Sequence, residues 1–405
     1  MHAGRWLGAV AIGSTVLAGC GPCRPTPAVE AIDCSAYEPP DVPMGPRHPD
    51  AWMGDQRALV LLLAWDDAPP NVPAADVREA FFGETESLAA YFQEASGGRF
   101  TLSGTVLDWR TVSARWADQN PKDPGAAGRL ALCAFASAID VEAHDAQGNG
   151  RIDHLFVVHS GTLPVDRIGP RALFVPGRAD RSVLLPARGV GTVGEHLPIG
   201  WYVHEAGHRY FGLRDRYGDH RHGQYGIGVW GLMGLGQWGP NGRIPRADVN
   251  RFPVHPRARA KMRMGWADAR FLEADAEDVL LQPVETTSEV VRVSGGASGH
   301  DLVLEVRSPR GFHADLPGHG LLVWREPHVL GGEVVLLQAD GRDDLAHGTD
   351  LGERPVPPTE ENFGDGSDPW PGALGVAELV DPVTGIALRR IRREGEAIRF
   401  DVELP

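Results

Sequence analysis

Cysteine, positive charge and long apolar runs are all scarce in this sequence. Of the four cysteines among 405 residues, Cys23, Cys34 and Cys133 lack the paired spacing of a zinc knuckle. Lysine and arginine total 39 against 54 aspartate and glutamate residues, which gives a formal net charge of −15. Because a phosphate backbone is bound by clustered Lys and Arg, we expect no nucleic-acid partner.

The apolar run Trp6–Leu17 is too short to span a bilayer, which takes about 20 apolar residues. It follows a short basic segment and suits the core of a secretory signal. Leu17-Ala-Gly-Cys20 then resembles a lipobox, in which the thiol of Cys20 receives a lipid. We therefore predict a lipoprotein signal peptide over residues 1–19. An uncleaved apolar anchor and an ordinary signal peptide are the alternatives.

The lipid on Cys20 would fix the location of the protein. Acyl chains contribute about 0.8 kcal/mol per buried methylene, so several together hold a domain at a membrane. Gly21 follows the cysteine where Asp would direct the chain elsewhere, which favours the outer membrane. The sequence thus predicts an exported lipoprotein of the outer membrane or cell surface.

The remaining cysteines lie in two different settings. Export permits disulfides, and a bond between Cys23 and Cys34 would close a small loop. Cys133 lies in the apolar helical run Leu130–Ala136, a setting that predicts an inert buried thiol.

The texture of the chain changes near residue 273. Residues 20–55 hold the lipidated cysteine and a Pro-rich tether. Residues 56–272 alternate strands and helices, which indicates an α/β (α+β) core. Residues 273–405 contain short β-rich runs typical of a β-sandwich-like domain, with a long loop over 342–372. Within 56–272 we expect strands at 58–64, 100–109 and 152–158 and helices at 85–95 and 128–139.

The strongest chemical signal is His204-Glu-Ala-Gly-His208 in an apolar segment competent to form a helix. Two His at i and i+4 point from one helical face and can bind one metal ion. Glu205 can take a proton from a metal-bound water and pass it to a leaving amine. The pattern predicts a zinc hydrolase site, and the alternative is a surface helix with two solvated His.

The third ligand is expected just after the helix. Gly212 can end the helix, and a reversing chain would bring Asp215 to the metal; capping of the next turn is its other possible role. Competing ligands on the same loop are Asp219, His220 and His222. Further on, Met233 stands between glycines and could underlie the site as a Met-turn, although simple packing is the alternative.

Other short motifs follow one another in a fixed order. They are the helix–Gly–strand segment at 87–104, the Asp/Gly-rich loop at 145–153, Gly212-Leu-Arg-Asp-Arg-Tyr217, Trp230-Gly-Leu-Met233, Lys261-Met-Arg-Met-Gly-Trp266, Leu304-Glu-Val-Arg307 and Leu316-Pro-Gly-His-Gly-Leu-Leu-Val-Trp324. With the zinc helix, this order resembles the immune inhibitor A family of bacterial secreted zinc metallopeptidases over roughly residues 57–372.

The resemblance implies a metzincin-like catalytic domain with His204 and His208 as zinc ligands and Glu205 as the catalytic carboxylate. Tyr217 becomes a candidate for the active-site wall. The chain departs from the family in two ways: the segment between His208 and Gly212 is one residue longer, and Arg214 replaces a usual Pro.

Calcium is a second candidate metal. Asp145, Gln147, Asn149 and Asp153 are spaced like oxygen ligands of a Ca²⁺ loop, with Gly150 permitting the bend. An Asx-rich turn before a strand is the alternative, and the Asp365–Asp368 loop has the same two interpretations.

The sequence therefore predicts a zinc endopeptidase that acts on extracytoplasmic polypeptides. One alternative is a non-catalytic surface lipoprotein that retains the peptidase fold for binding. Another is a zinc hydrolase of non-peptide amides.

Overall fold

The apolar run near residue 60 forms the central strand of a parallel sheet, and helices cover both of its faces. A computed structural model describes residues 31–36, 41–42, 52–118, 126–148, 150, 152–160, 172–174, 182–184, 187–189, 199–218, 225–239, 252–329, 332–342, 345 and 363–405.

Helices and strands alternate in the first half of the described chain, and strands dominate the second. The helices are α1 (Ala74–Phe82), α2 (Leu88–Ala95), α3 (Ala126–Ala134), α4 (Ile199–Arg209), α5 (Ala258–Met264) and α6 (Val284–Thr287). The strands are β1 (Asp41–Val42), β2 (Gly54–Trp65), β3 (Phe100–Val112), β4 (His154–His159), β5 (Ala172–Phe174), β6 (Ser182–Leu184), β7 (Ala187–Gly189), β8 (Asp268–Leu272), β9 (Ala276–Leu281), β10 (Glu289–Ser294), β11 (His300–Arg307), β12 (Gly320–Pro327), β13 (Val335–Leu336), β14 (Leu379–Val380), β15 (Ala387–Glu394) and β16 (Ala397–Glu403).

The parallel sheet has the order β3-β2-β4-β7. Successive side chains of a strand point to opposite faces, so β2 contributes to two cores. Val60 and Leu62 pack with α2 and α4, whereas Leu61 and Leu63 pack with α3. Burial on both faces explains the continuous apolar run. The prediction of a mixed α/β fold is confirmed.

Helix α2 ends at the predicted residue but begins later than predicted. The hydroxyl of Ser87 caps it by accepting a hydrogen bond of 3.0 Å from the backbone N–H of Ala90. Gly97 and Gly98 follow with positive φ and turn the chain into β3. The helix therefore begins three residues later than expected and presents its buried face to the sheet.

Two further sheets share one core in the C-terminal part. The orders are β13-β12-β11-β10-β8 and β14-β15-β16-β9, and apolar side chains of both sheets meet between them. The pairings are antiparallel except that of β10 with β8. β8 precedes residue 273, so the division of the chain there stays a prediction, and residues 31–405 pack as one compact unit.

The predictions for Cys34 and for Cys133 are both wrong, because these two residues form a disulfide with each other. Ile32 pairs beside the end of β3, where its N–H donates a 2.9 Å hydrogen bond to the carbonyl of Thr111. This short pairing carries Cys34 to helix α3. Cys34 is therefore not bonded to Cys23, and the apolar setting of Cys133 holds a cystine instead of a free thiol.

Several predictions lie outside the described residues. They concern the signal peptide, Cys20 and most of the 342–372 loop. Among the helices that are described, none has the length and apolar character needed to cross a membrane.

Candidate metal centre

Helix α4 carries the two predicted histidine ligands at its C-terminal end. Tyr202, Val203 and Ala206 are buried in the core beneath the parallel sheet and fix the helix in place. His204 is buried with them, and His208 is partly exposed. The rings lie 4.7 Å apart between centroids and nearly perpendicular. The i, i+4 spacing thus brings both imidazoles to one place, as predicted.

The chain reverses after α4 and brings Asp215 to the histidines. Gly212 has φ of +66°, a left-handed conformation that ends the helix. The N–H of Leu213 then donates a 2.9 Å hydrogen bond to the carbonyl of Gly207. This wide turn accommodates the additional residue noted in the sequence. One carboxylate oxygen of Asp215 lies 3.1 Å from Nε2 of His204 and 3.1 Å from Nε2 of His208.

The distances and the donor set fit a zinc ion. Bonds of 2.0–2.1 Å in a tetrahedron place neighbouring ligand atoms about 3.3 Å apart. The Asp215 oxygen lies 3.1 Å from each Nε2 atom, close to that spacing, and all three ligand atoms lie within 4.8 Å of one another. Two imidazoles and one carboxylate leave a fourth position open, which is the arrangement of catalytic zinc sites.

Backbone carbonyls set the tautomer of both imidazoles. Nδ1 of His204 donates to the carbonyl of Leu232 at 3.1 Å, and Nδ1 of His208 donates to that of Leu213 at 2.8 Å. In the neutral imidazole the other nitrogen is then an acceptor. Three acceptors, two Nε2 atoms and one carboxylate oxygen, therefore face one another, and a metal cation satisfies all of them.

The electrostatics of the group agree with metal binding. Burial raises the pKa of Asp215, but its polar contacts with His204 and His208 outweigh burial and hold the pKa well below its usual range. Burial lowers the pKa of His204, against the opposing effect of Asp215. At neutral pH the site thus presents a carboxylate and a neutral imidazole, the forms that coordinate metals.

Met233 packs directly beneath the histidine helix. A Cβ added to Gly207 would lie 2.8 Å from the Met233 sulfur, so glycine lets the side chain come this close. The carbonyl of Met233 accepts a 2.7 Å hydrogen bond from the N–H of Arg216. The residue predicted for a Met-turn therefore supports both the helix and the segment that carries Asp215.

Tyr217 packs against His204, and Gln237 fixes its position through a hydrogen bond. Its ring stacks on His204, and its hydroxyl lies 3.5 Å from Nε2 of that residue. The amide of Gln237 donates a hydrogen bond to the same hydroxyl. The position agrees with a wall residue. Gln237 was not predicted, because no spacing pattern links it to the zinc motif.

The other predicted candidates are only partly described. Glu205 is partly buried on α4, directly after His204. Asp219, His220 and His222, the competing third ligands, lie outside the described residues. The structure thus places Asp215 at the histidines, and zinc binding stays a proposal.

The described residues of the predicted calcium loop at 145–153 make hydrogen bonds typical of a turn. A carboxylate oxygen of Asp145 accepts a 2.6 Å hydrogen bond from the N–H of Gly150, and Asp153 accepts from the N–H groups of Arg57 and Ala146. The side-chain amide of Gln147 donates to Gln56. Asn149 lies outside the described residues, so calcium binding there stays a prediction.

A cluster of three carboxylates includes two residues of the predicted Asp365–Asp368 loop. Asp340, Asp365 and Asp368 lie together, and the buried Asp368 accepts hydrogen bonds from Nε1 of Trp230 at 2.7 Å and from Gln338 at 2.6 Å. Burial raises the pKa of Asp368 to about 6. These contacts connect the loop to the segment that precedes Met233.

Helix α4 thus brings His204 and His208 together with Asp215, and Met233 packs below them. No family profile matches the chain. Immune inhibitor A from Bacillus thuringiensis subsp. alesti is 27% identical over an aligned length of 171 residues. The match covers 30% of this chain and 25% of that relative. The chain is therefore distantly similar to a protein named Immune inhibitor A, and its motifs resemble the family of the same name.

Proposed function

We propose that this chain is a zinc-dependent endopeptidase that hydrolyses peptide bonds of extracytoplasmic proteins. The observation that carries the proposal is the approach of Asp215 to the Nε2 atoms of His204 and His208, at 3.1 Å each. The distant similarity to Immune inhibitor A supports a peptidase over other zinc hydrolases.

His204, His208 and Asp215 would hold the zinc ion. When bound, zinc supplies water activation and polarisation of the scissile carbonyl. Glu205 takes the proton of the attacking water and delivers it to the leaving amine. Its place next to His204 on α4 puts the carboxylate on the element that carries both imidazoles.

Tyr217 stabilises the negative charge that develops on the carbonyl oxygen of the substrate. Its hydroxyl is fixed by Gln237 and by ring stacking on His204, so it needs no rearrangement to donate a hydrogen bond. A pre-positioned donor of this kind is worth more than one that must be ordered during the reaction.

The test uses an unstructured protein substrate and the full chain. We expect cleavage that a chelator abolishes and that added zinc restores, with new peptide N-termini found by mass spectrometry. Bound zinc with no chelator-sensitive cleavage would reject the peptidase function. Cleavage of small non-peptide amides alone would assign the site to the other hydrolase class.

The proposal includes export and lipid attachment at Cys20, which the sequence pattern supports. Expressed from its own start codon, the chain should fractionate with membranes. Cys20→Ala should release it from that fraction without changing the hydrolysis of a soluble substrate, and equal membrane association of both proteins would reject the anchor.

A further inference from the structure

A pocket rich in arginine lies beside the segment that carries Asp215. Its volume is about 200 Å³, and Leu213, Met233 and Glu326 contribute to its wall. Five arginines also line it, namely Arg214, Arg216, Arg257, Arg259 and Arg263. So many cations around one pocket contrast with a chain whose formal net charge is −15.

Carboxylates neutralise two of the five guanidinium groups. Nε of Arg257 lies 2.9 Å from a carboxylate oxygen of Glu326. A terminal nitrogen of Arg259 lies 3.4 Å from a carboxylate oxygen of Asp301. These pairs offset at most two of the five positive charges, since Asp301 also pairs with Arg292 at 2.6 Å.

Of the other three arginines, Arg216 shares the carboxylate of Glu326 electrostatically with Arg257. In the part of the chain that the structure describes, none of Arg214, Arg216 and Arg263 forms an ion pair. Arg216 instead donates a 2.8 Å hydrogen bond to the carbonyl of Gly332, and Arg263 lies 5.9 Å from the ring centre of Trp52. An excess of positive charge around one pocket favours an anionic ligand. Each guanidinium also offers several N–H donors to such a ligand.

We propose that this pocket binds a phosphate group. Guanidinium groups bind phosphate through paired hydrogen bonds, and a phosphate monoester carries a charge of about −1.5 to −2. Five arginines exceed the carboxylates of Glu326 and Asp301 by three positive charges. A phosphate monoester offsets most of this excess, whereas a single carboxylate would leave two of the charges uncompensated. The site does not depend on the peptidase proposal. Its ligand is either soluble phosphate or the phosphate of a lipid headgroup.

Calorimetric titration of the full chain with inorganic phosphate, at constant ionic strength, tests the proposal. Arg214→Gln combined with Arg263→Gln removes two exposed guanidiniums of the pocket, so the fold should be retained. We expect phosphate to bind the double variant at least about tenfold more weakly than the wild type.

A matched control separates the pocket from net charge. Arg78→Gln combined with Arg115→Gln makes the same change in charge at two exposed arginines that do not line the pocket. Phosphate should bind this control as it binds the wild type. Equal phosphate binding by all three proteins, or none by the wild type, would overturn the proposal.

Two further measurements, an acetate titration and vesicle co-sedimentation, identify the class of the ligand and its source. A response to acetate as large as that to phosphate would overturn the assignment to phosphate. Co-sedimentation with phosphatidylcholine vesicles that requires phosphatidic acid, and that the double variant loses, would assign the site to a lipid headgroup. Phosphate binding without such co-sedimentation would assign it to soluble phosphate.

Discussion

At the scale of single residues, the proposed metal ligands divide into those that local spacing reveals and those that depend on the fold. His204 and His208 are separated by one helical turn, so their proximity follows from the sequence. Asp215 reaches them only because Gly212 reverses the chain in a left-handed conformation. The carbonyls of Leu213 and Leu232 orient the imidazoles but are backbone atoms, which no sequence pattern identifies.

Tyr217 gives a prediction at this scale. Tyr217→Phe removes the hydroxyl and keeps the ring stacked on His204, so zinc content and KM should not change. The kcat for peptide hydrolysis should fall about 10²- to 10³-fold, the usual effect of losing one oxyanion donor. Tyr225→Phe serves as the control, because Tyr225 is not part of the His204, His208 and Asp215 cluster. Unchanged kcat would remove Tyr217 from the mechanism.

At the scale of elements, hydrophobic patterns identified β2, β3, β4 and α2, and they indicated the β-rich character of the C-terminal part. Such patterns fail where one face of an element is charged. β15 reads Ala387-Leu-Arg-Arg-Ile-Arg-Arg-Glu394, and its arginines pair with carboxylates at the sheet surface, so its apolar content is low. The disulfide escaped prediction for another reason, because it joins residues 99 positions apart.

The disulfide should stabilise the first half of the chain. Cys34→Ala combined with Cys133→Ala opens a loop of 99 residues, which should lower the free energy of unfolding by about 4 kcal/mol. Urea unfolding of both proteins measures the difference. Wild type under reducing conditions should match the double variant, and an oxidised wild type no more stable than the variant would contradict the assigned pairing.

At the scale of the whole molecule, a buried polar network joins the two halves of residues 31–405. Nζ of Lys261 on α5 lies 3.0 Å from Nδ1 of His255, whose Nε2 lies 3.0 Å from Glu94 on α2. Arg307 on β11 donates a 2.9 Å hydrogen bond to Glu305 nearby. The sequence showed Lys261 only as part of a family-like motif, since a lysine carries no signal of its own burial.

The network makes stability depend on pH. Burial, together with the charge of Arg307, lowers the pKa of Lys261 from 10.5 to about 7. Between pH 7 and 10 the unfolded chain therefore binds a proton that the folded chain does not, and stability rises with pH. From pH 7 to pH 9 the free energy of unfolding of wild type, relative to Lys261→Met, should increase by about 2 kcal/mol.

Urea unfolding at both pH values checks this slope. Arg263→Met is the control, because it removes an exposed cation of the same helix. Its difference from wild type should not change with pH. A constant difference for Lys261→Met as well would show that Lys261 keeps its charge in the folded protein.

On helix α4, we propose that His204 and His208 bind zinc and that Glu205 transfers protons. Zinc content and peptide hydrolysis, measured side by side for wild type and Glu205→Gln, test it most directly. We expect about one zinc ion per chain in both proteins, and a fall in kcat of at least about 10²-fold in the variant. Equal rates of hydrolysis in the two zinc-loaded proteins would contradict it.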